Sequence, residues 1–147
     1  MSATDTPAVA LHPLIDGLFT RHGYQRIDAG NIDRFVDAPG HALLLFIEDP
    51  LRVRETLDVA VIVPEIVKAF TGRFRVGVLL PEAARQLYTR YGFRRWPAIV
   101  VLRDGAYVGA VDGLREWNEY IETVDALLRA APARAPTVGI PVTVAKG

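Results

Sequence analysis

Four carboxylates lie close together in the sequence between two apolar segments. Glu48 and Asp49 follow one apolar run, and Glu55 and Asp58 precede the next. Carboxylates grouped in this way can bind a basic segment of a partner, such as paired arginines, through charge-assisted hydrogen bonds. They are also typical of a solvated loop that leads into a helix, because acidic residues are favoured near a helix N-terminus. Two arginines in the same loop dilute the acidity, so both interpretations stay open.

A second candidate surface is formed by Trp96 and Pro97, which precede the apolar run from Ala98 to Leu102. Tryptophan is enriched at binding hot spots. A proline can open a strand without removing a hydrogen-bond donor from the ladder. Pro97 is therefore either an ordinary trans proline, as most X–Pro bonds are, or a cis proline that borders a binding groove. We predict Trp96 and Pro97 as partner-binding residues alongside the four carboxylates.

The composition excludes several kinds of chemistry. The sequence contains no cysteine, which rules out disulfide exchange and thiolate metal sites. Its three histidines have neither metal-ligand spacing nor the partners of a catalytic triad. The 17 basic and 17 acidic residues balance to a net charge of zero, and no basic stripe indicates nucleic-acid binding. We therefore predict no catalytic residue, no metal site, no cofactor and no nucleic-acid partner.

The hydrophobic pattern predicts one α/β domain over residues 11–130, with flexible ends at 1–10 and 131–147. The run Ala42–Ile47 is apolar throughout, as is typical of a strand covered on both faces. Helical spacing from Asp58 to Phe70 predicts a helix kinked at Pro64, although its first half alone favours a strand. Asp104-Gly105 predicts a hairpin. In the last helix, Trp117 falls on the face expected to be buried.

The order of Trp-Pro, strand, Asp-Gly hairpin, strand, glycine and helix resembles the C-terminal half of the thioredoxin fold. That resemblance implies a central mixed β-sheet with helices on both faces. It also implies that Pro97 is cis. In redox-active thioredoxins two cysteines lie at the start of the helix that follows the central strand. Counting back from Pro64, Thr56 and Val59 occupy those positions here.

A narrower resemblance is carried by an ordered set of motifs. Asp49-Pro50-x-Arg52, Glu55-x-x-Asp58, Arg95-Trp96-Pro97-Ala98, Gly105-x-Tyr107-x-Gly109-x-x-x-Gly113 and Trp117 together resemble the HyaE/HupG family, cysteine-free thioredoxin-like proteins of hydrogenase maturation. The resemblance covers roughly residues 11–130. It implies a dedicated chaperone of the NiFe-hydrogenase small subunit, which recognises the twin-arginine signal peptide of that subunit before export.

The sequence thus favours a non-catalytic binding protein whose partner is the small-subunit precursor, with other maturation proteins as further candidates. Two alternatives remain: a thioredoxin-fold enzyme without thiol chemistry that binds glutathione beside Pro97, and a scaffold subunit that uses a sheet edge. The N-terminal residues lack the basic and apolar regions of a secretory signal. No apolar run approaches the roughly 20 residues of a membrane span. We therefore expect a soluble cytoplasmic protein.

Overall fold

The computed structural model describes residues 11–136, so the predicted flexible ends lie almost wholly outside the described residues. The element order follows the prediction, with helices and strands alternating up to a final hairpin and helix. The helices are α1 (Pro13–Thr20), α2 (Ile32–Asp37), α3 (Glu55–Ala69), α4 (Pro81–Leu87) and α5 (Trp117–Arg129). The strands are β1 (Gln25–Arg26), β2 (His41–Phe46), β3 (Arg75–Leu79), β4 (Ala98–Arg103) and β5 (Ala106–Asp112).

The five strands form one mixed sheet in the order β1-β3-β2-β4-β5. Strands β1, β3 and β2 are parallel, whereas β4 pairs antiparallel with both β2 and β5. In the middle of the sheet, Leu44 of β2 lies opposite Gly77 of β3 and Val100 of β4. The predicted mixed sheet is confirmed, and the Asp104-Gly105 hairpin supplies its antiparallel edge.

Side chains of β2 alternate between two hydrophobic cores, one on each face of the sheet. Leu43 and Leu45 pack with buried residues of α1, α3 and α5. Leu44 and Phe46 pack with buried residues of α2 and α4 on the other face. Because both faces of β2 are covered, a continuous apolar run replaces the alternating pattern of a half-exposed strand.

Helix α3 confirms the helical interpretation of a segment rich in β-branched residues. Val59, Val63 and Ile66 are buried on one face, and this period of three and four residues outweighs the local strand preference. The helix begins at Glu55, one turn before the predicted start, and Pro64 lies inside it. None of the helices described between residues 11 and 136 has the length and hydropathy required to cross a membrane.

The prediction that Trp117 belongs to the core is wrong. Trp117 is the first residue of α5 and is 44% exposed, and Leu114, just before the helix, is 42% exposed. The buried positions of α5 are Tyr120, Val124 and Leu128. Because α5 starts at Trp117, its first buried residue, Tyr120, comes one turn later. Trp117 and the preceding Leu114 are therefore exposed to solvent.

The chain that follows α5 returns to the edge of the sheet. The backbone N–H of Ala133 donates to the carbonyl of Tyr107 in the edge strand β5, at 2.8 Å. Gly92, which ends the turn after α4, has a φ of +69°, and a Cβ at this position would overlap the carbonyl oxygen of Pro136. Residues 131–136 therefore lie against the domain.

We predict that Gly92→Ala destabilises the full chain more than it destabilises a chain truncated after Ala130. An alanine in the left-handed region costs about 1–2 kcal/mol in both chains, whereas the overlap with Pro136 exists only in the full chain. The measurement is the free energy of unfolding by chemical denaturation. Gly17→Ala is the control, because its Cβ meets nothing within 4 Å and should stabilise α1 by about 0.5–1 kcal/mol. An equal loss in both chains would show that the contact with Pro136 is not formed.

Candidate functional site

The start of α3 holds the two residues that correspond to the redox cysteines of thioredoxins. Thr56 has no exposed surface and Val59 is 1% exposed. The Thr56 hydroxyl donates to the backbone carbonyl of Glu48 at 2.8 Å, which ties the start of α3 to the end of β2. Thr56 therefore packs between the start of α3 and the end of β2, and its hydroxyl is not exposed to solvent.

Glu48, the first of the four predicted carboxylates, is engaged by Arg85 of α4. The Arg85 Nε and Nη2 atoms lie 2.8 and 2.6 Å from its two carboxylate oxygens. The hydrogen bond from Arg85 is the main reason that the pKa of Glu48 falls below its usual value. The Glu48 side chain is only 13% exposed. Both oxygens already have partners, so Glu48 is not free to receive an arginine of a bound peptide.

Asp49 organises the loop that follows β2. Its backbone carbonyl accepts hydrogen bonds from the N–H groups of Arg52 and Val53, each at 2.8 Å. Its side-chain Oδ1 accepts a further one from the N–H of Leu51, at 2.9 Å. Loops in which an aspartate bonds the backbone two residues ahead are pre-ordered turns. As a result, Leu51 is held 93% exposed at the tip of an ordered loop.

The Trp96–Pro97 bond is cis, as the thioredoxin resemblance implied. Asp112, at the end of β5, holds the preceding loop: its Oδ2 accepts from the N–H groups of Arg94 and Arg95, at 2.8 and 3.2 Å. Burial alone would raise the pKa of Asp112, but these two hydrogen bonds and the Arg115 guanidinium lower it. The sequence analysis did not identify Asp112; its place directly before Gly113 was the available signal.

Trp96 is half-buried against an aromatic cluster beneath it. Its ring centroid lies 5.1 Å from that of Phe93 and 5.6 Å from that of Tyr88. Such edge-to-face and tilted contacts fix the ring, so Trp96 presents one side to solvent as a rigid surface.

Two grooves flank the loop between β2 and α3. The first, called the proline groove because Trp96 of the Trp96–Pro97 bond lines it, has a volume of about 520 Å³; Pro97 itself is buried and does not line it. Its lining residues are Arg52, Val53, Glu55, Arg95, Trp96, Gly113 and Leu114. It carries two guanidinium groups and one carboxylate, so it has no excess of negative charge.

The second, the apolar groove, has a volume of about 530 Å³ and is lined by other residues of the same loop. Its apolar residues are Leu11, Ile15, Pro50, Leu51, Leu57, Leu80 and Pro81, joined by His12 and Asp49. The first turns of α3 lie between the two grooves, because Glu55 lines the proline groove and Leu57 lines the apolar groove.

The structure therefore separates the four predicted carboxylates. Glu48 is paired with Arg85, Asp49 lines the apolar groove, and Glu55 lines the proline groove. Asp58 is exposed on α3, one residue beyond Leu57. Among the residues described between 11 and 136, no group of three or more acidic, histidine or cysteine side chains could hold a metal ion.

Comparison with known proteins places this arrangement in a family. The family model described as "Hydrogenase-1 expression protein HyaE" matches residues 14–120. The chain belongs to the HyaE family. The family predicted from the ordered motifs is thereby confirmed.

Relatives of this HyaE family member carry matching names. The chain is 38% identical over 135 residues to the hydrogenase expression/formation protein HoxO of Cupriavidus necator, covering 90% of this chain and 84% of that protein. It is 31% identical over 127 residues to HupG of Bradyrhizobium diazoefficiens, covering 84% of this chain and 86% of the relative.

Solved structures confirm the thioredoxin-like fold. The crystal structure of a "putative hydrogenase expression/formation protein hupG" from Rhodopseudomonas palustris covers 71% of this chain and 95% of its own, with 28% identity and a TM-score of 0.51. A thioredoxin from Halobacterium salinarum, solved as a point mutant, covers 74% of this chain and 93% of its own, with 17% identity and a TM-score of 0.59. At 17% identity, the similarity to this thioredoxin concerns the fold alone.

We predict that Thr56→Cys combined with Val59→Cys does not create an efficient disulfide reductase. Both positions are buried, and a thiol must be exposed to attack a disulfide. Insulin reduction should stay near the buffer level, and a thiol-reactive dye should label the folded variant slowly. Leu51→Cys is the control, because its exposed position should be labelled at once. Reduction at the rate of an ordinary thioredoxin would contradict the buried arrangement.

We further predict that Asp112→Asn lowers the free energy of unfolding by about 1–3 kcal/mol at pH 7, through weaker hydrogen bonds to the Arg94–Arg95 backbone. The pKa of Asp112 lies below its usual value of 3.8 in the folded protein. Its stabilisation is therefore fully present above that value and disappears as the pH falls through the lowered pKa. Denaturation of both proteins between pH 7 and pH 2 should show the difference vanish in acid.

The control for this measurement is Asp125→Asn. Asp125 pairs with Arg129 on the exposed side of α5, and surface pairs contribute about 0–1 kcal/mol. A difference for Asp112→Asn that persists unchanged at the lowest pH would show that its effect does not arise from the carboxylate charge.

Proposed function

We propose that this HyaE family member is a non-catalytic chaperone of NiFe-hydrogenase maturation. It binds the small-subunit precursor, through its twin-arginine signal peptide, in the cytoplasm before export. Relatives named as hydrogenase expression/formation proteins support the role in maturation. The burial of Thr56 and Val59 supports a binding role, because the family's fold here presents no thiol or hydroxyl at the position where thioredoxins react.

The observation that carries the proposal is the pair of open grooves beside the start of α3. Both are lined in part by the loop between β2 and α3, and Trp96 lines one of them and Leu51 the other. Exposed apolar surface of this kind marks protein-binding sites. The contact residues that we propose are Asp49, Glu55, Asp58 and Trp96. Pro97, also predicted from the sequence, is buried and lines neither groove.

Ion pairs alone do not provide enough binding energy. Two exposed pairs between peptide arginines and Glu55 or Asp58 contribute about 0.2–1 kcal/mol each. A micromolar complex requires about 8 kcal/mol. Burial of apolar groups, at about 0.8 kcal/mol for each methylene, reaches the required scale. The carboxylates therefore orient the peptide, whereas apolar contacts provide most of the affinity.

The proposal is tested by titration calorimetry with the small-subunit precursor, with and without its signal peptide, and with the synthetic signal peptide alone. We expect micromolar or tighter binding that requires the signal. Glu55→Lys combined with Asp58→Lys should weaken binding modestly, and the loss should shrink at high salt because screening suppresses exposed charge interactions. Trp96→Ala should weaken binding with little dependence on salt.

The control variant is Val61→Ser, which changes an exposed aliphatic side chain of α3 outside both grooves. It should bind like the unaltered protein. Equal affinity for the precursor with and without its signal would contradict signal-peptide recognition. Retention on glutathione resin without any binding of the precursor would favour the glutathione-binding alternative.

A further inference from the structure

The proline groove carries an excess of positive charge. Arg52 and Arg95 line it and are exposed, whereas Glu55 is the one carboxylate among the lining residues that the structure describes. Within residues 11–136, neither arginine forms an ion pair, with Glu55 or with any other residue. Both guanidinium groups are therefore open to a partner.

Two carboxylates that act on this part of the chain are already engaged. Asp112 accepts from the backbone N–H of Arg95 and pairs with the Arg115 guanidinium. Glu48 has partners on both of its oxygens, and the charge of Arg52 is the weakest of the effects that lower the pKa of Glu48. Neither carboxylate neutralises the groove.

Arg95 and Trp96 are held in place before any partner arrives. The Arg95 side chain lies over Gly113, because a Cβ added to Gly113 would be 3.3 Å from the Arg95 Cδ atom and 3.4 Å from its Cβ atom. Gly113 is itself fixed, since its N–H donates to the carbonyl of Pro97 at 2.8 Å. The Trp96 ring packs on the aromatic cluster beneath it. Groups that are ordered in advance lose little conformational entropy on binding.

The start of α3 adds to the positive charge of the groove. Val53 and Glu55 line the groove on either side of Arg54, the N-cap residue of α3. The N-terminal end of a helix carries a partial positive charge, which favours an anion nearby. The helix and the two arginines therefore act in the same direction.

The groove also offers apolar contact surface. Trp96 is half-buried, and Leu114 is 42% exposed on its wall. Arginine forms charge-assisted hydrogen bonds with carboxylates, and exposed apolar surface beside it marks a protein-binding site. An aspartate or glutamate next to an apolar residue fits this combination.

The twin-arginine signal does not supply such a group. Its arginines have the same charge as Arg52 and Arg95, and like charges across an interface are unfavourable. The rest of the small-subunit precursor is the part of the proposed partner that can present a carboxylate to this groove.

We infer that the proline groove binds an acidic segment of the small-subunit precursor outside its signal peptide. Arg52 and Arg95 bind the carboxylates of this segment, and Trp96 and Leu114 contact an adjacent apolar side chain. This inference rests on the proposed function and adds a second contact, of opposite charge to the signal.

The test is calorimetry with the full precursor and with its synthetic signal peptide alone. Arg52→Glu combined with Arg95→Glu should weaken binding of the precursor about tenfold at low salt, and less at high salt because screening suppresses exposed charge interactions. The same variant should bind the isolated signal more tightly at low salt, since repulsion of its arginines is removed. The two ligands thus respond in opposite directions.

The matched control is Arg34→Glu combined with Arg73→Glu. Both arginines are exposed, neither lines the two grooves, and neither forms an ion pair in the described part of the chain. This variant changes the net charge by the same amount and should bind both ligands like the unaltered protein. An unchanged Tm checks that each variant is folded.

A carbodiimide crosslink identifies the bound carboxylate. The reagent joins an amine to a carboxylate as an amide and takes up the water that is released. Arg95→Lys keeps the positive charge and places an amine in the groove, in a chain whose only lysines are Lys68 and Lys146. This amine should be joined to an acidic residue of the precursor outside the signal, located by mass spectrometry. Arg73→Lys is the control and should give no such product.

The outcomes separate this inference from the proposed function. If charge reversal leaves the affinity for the precursor unchanged, raises it, or weakens both ligands equally, the inference is overturned while the function stands. A complex without the crosslink through Arg95→Lys would overturn it in the same way. If the precursor binds equally well without its signal, and charge reversal still weakens it, signal recognition is overturned and the carboxylate contact stands. Binding of reduced glutathione that charge reversal abolishes, with affinity for the precursor unchanged, would assign the groove to a free dicarboxylate.

Discussion

The arrangement of this protein depends on the complete burial of Ala42–Ile47, which comprises all of β2 after its first residue and the residue that follows the strand. Every residue from Ala42 to Ile47 has no exposed surface, because neighbouring strands pair with β2 on both sides and helices cover both faces. No polar side chain can be placed along this stretch without a desolvation penalty. The chain's first polar groups after it are therefore Glu48 and Asp49, at the C-terminal end of the strand, and both grooves lie around that point.

At this end of β2, a hydrogen bond is formed by Thr56, which occupies the position of one of the two reactive cysteines of a thioredoxin. The Thr56 hydroxyl donates to the Glu48 carbonyl inside the protein, and an unsatisfied carbonyl buried there would cost roughly 1–3 kcal/mol. Thr56 thus serves to attach α3 to β2. The Trp96–Pro97 bond is cis, whereas Thr56 and Val59, at the positions of the thioredoxin cysteines, carry no thiol.

Charge plays a secondary part on this surface. The bidentate pair of Glu48 and Arg85 is internal to the domain, and Arg52 and Arg95 offset Glu55 in the proline groove. The open carboxylates are not gathered into one acidic patch: Asp49 lines the apolar groove, Glu55 lines the proline groove, and Glu82 lines a third cavity. In the complex proposed above, carboxylates placed in this way select between peptides by their charge but add little affinity, since exposed ion pairs are weak. Affinity must come from apolar surface.

The sequence by itself determined the order of the elements, the buried strand and the family, because apolar periodicity, Asp104-Gly105 and the ordered motifs are local in the chain. It also indicated the region around residues 48–58. Tertiary structure alone decided which side chains there are free. Arg85 reaches Glu48 from 37 residues away, Asp112 holds the backbone of Arg94 from 18 residues away, and the apolar groove assembles from three separate segments. These contacts depend on how the helices pack across the sheet, and the spacing of residues in the sequence does not predict that packing.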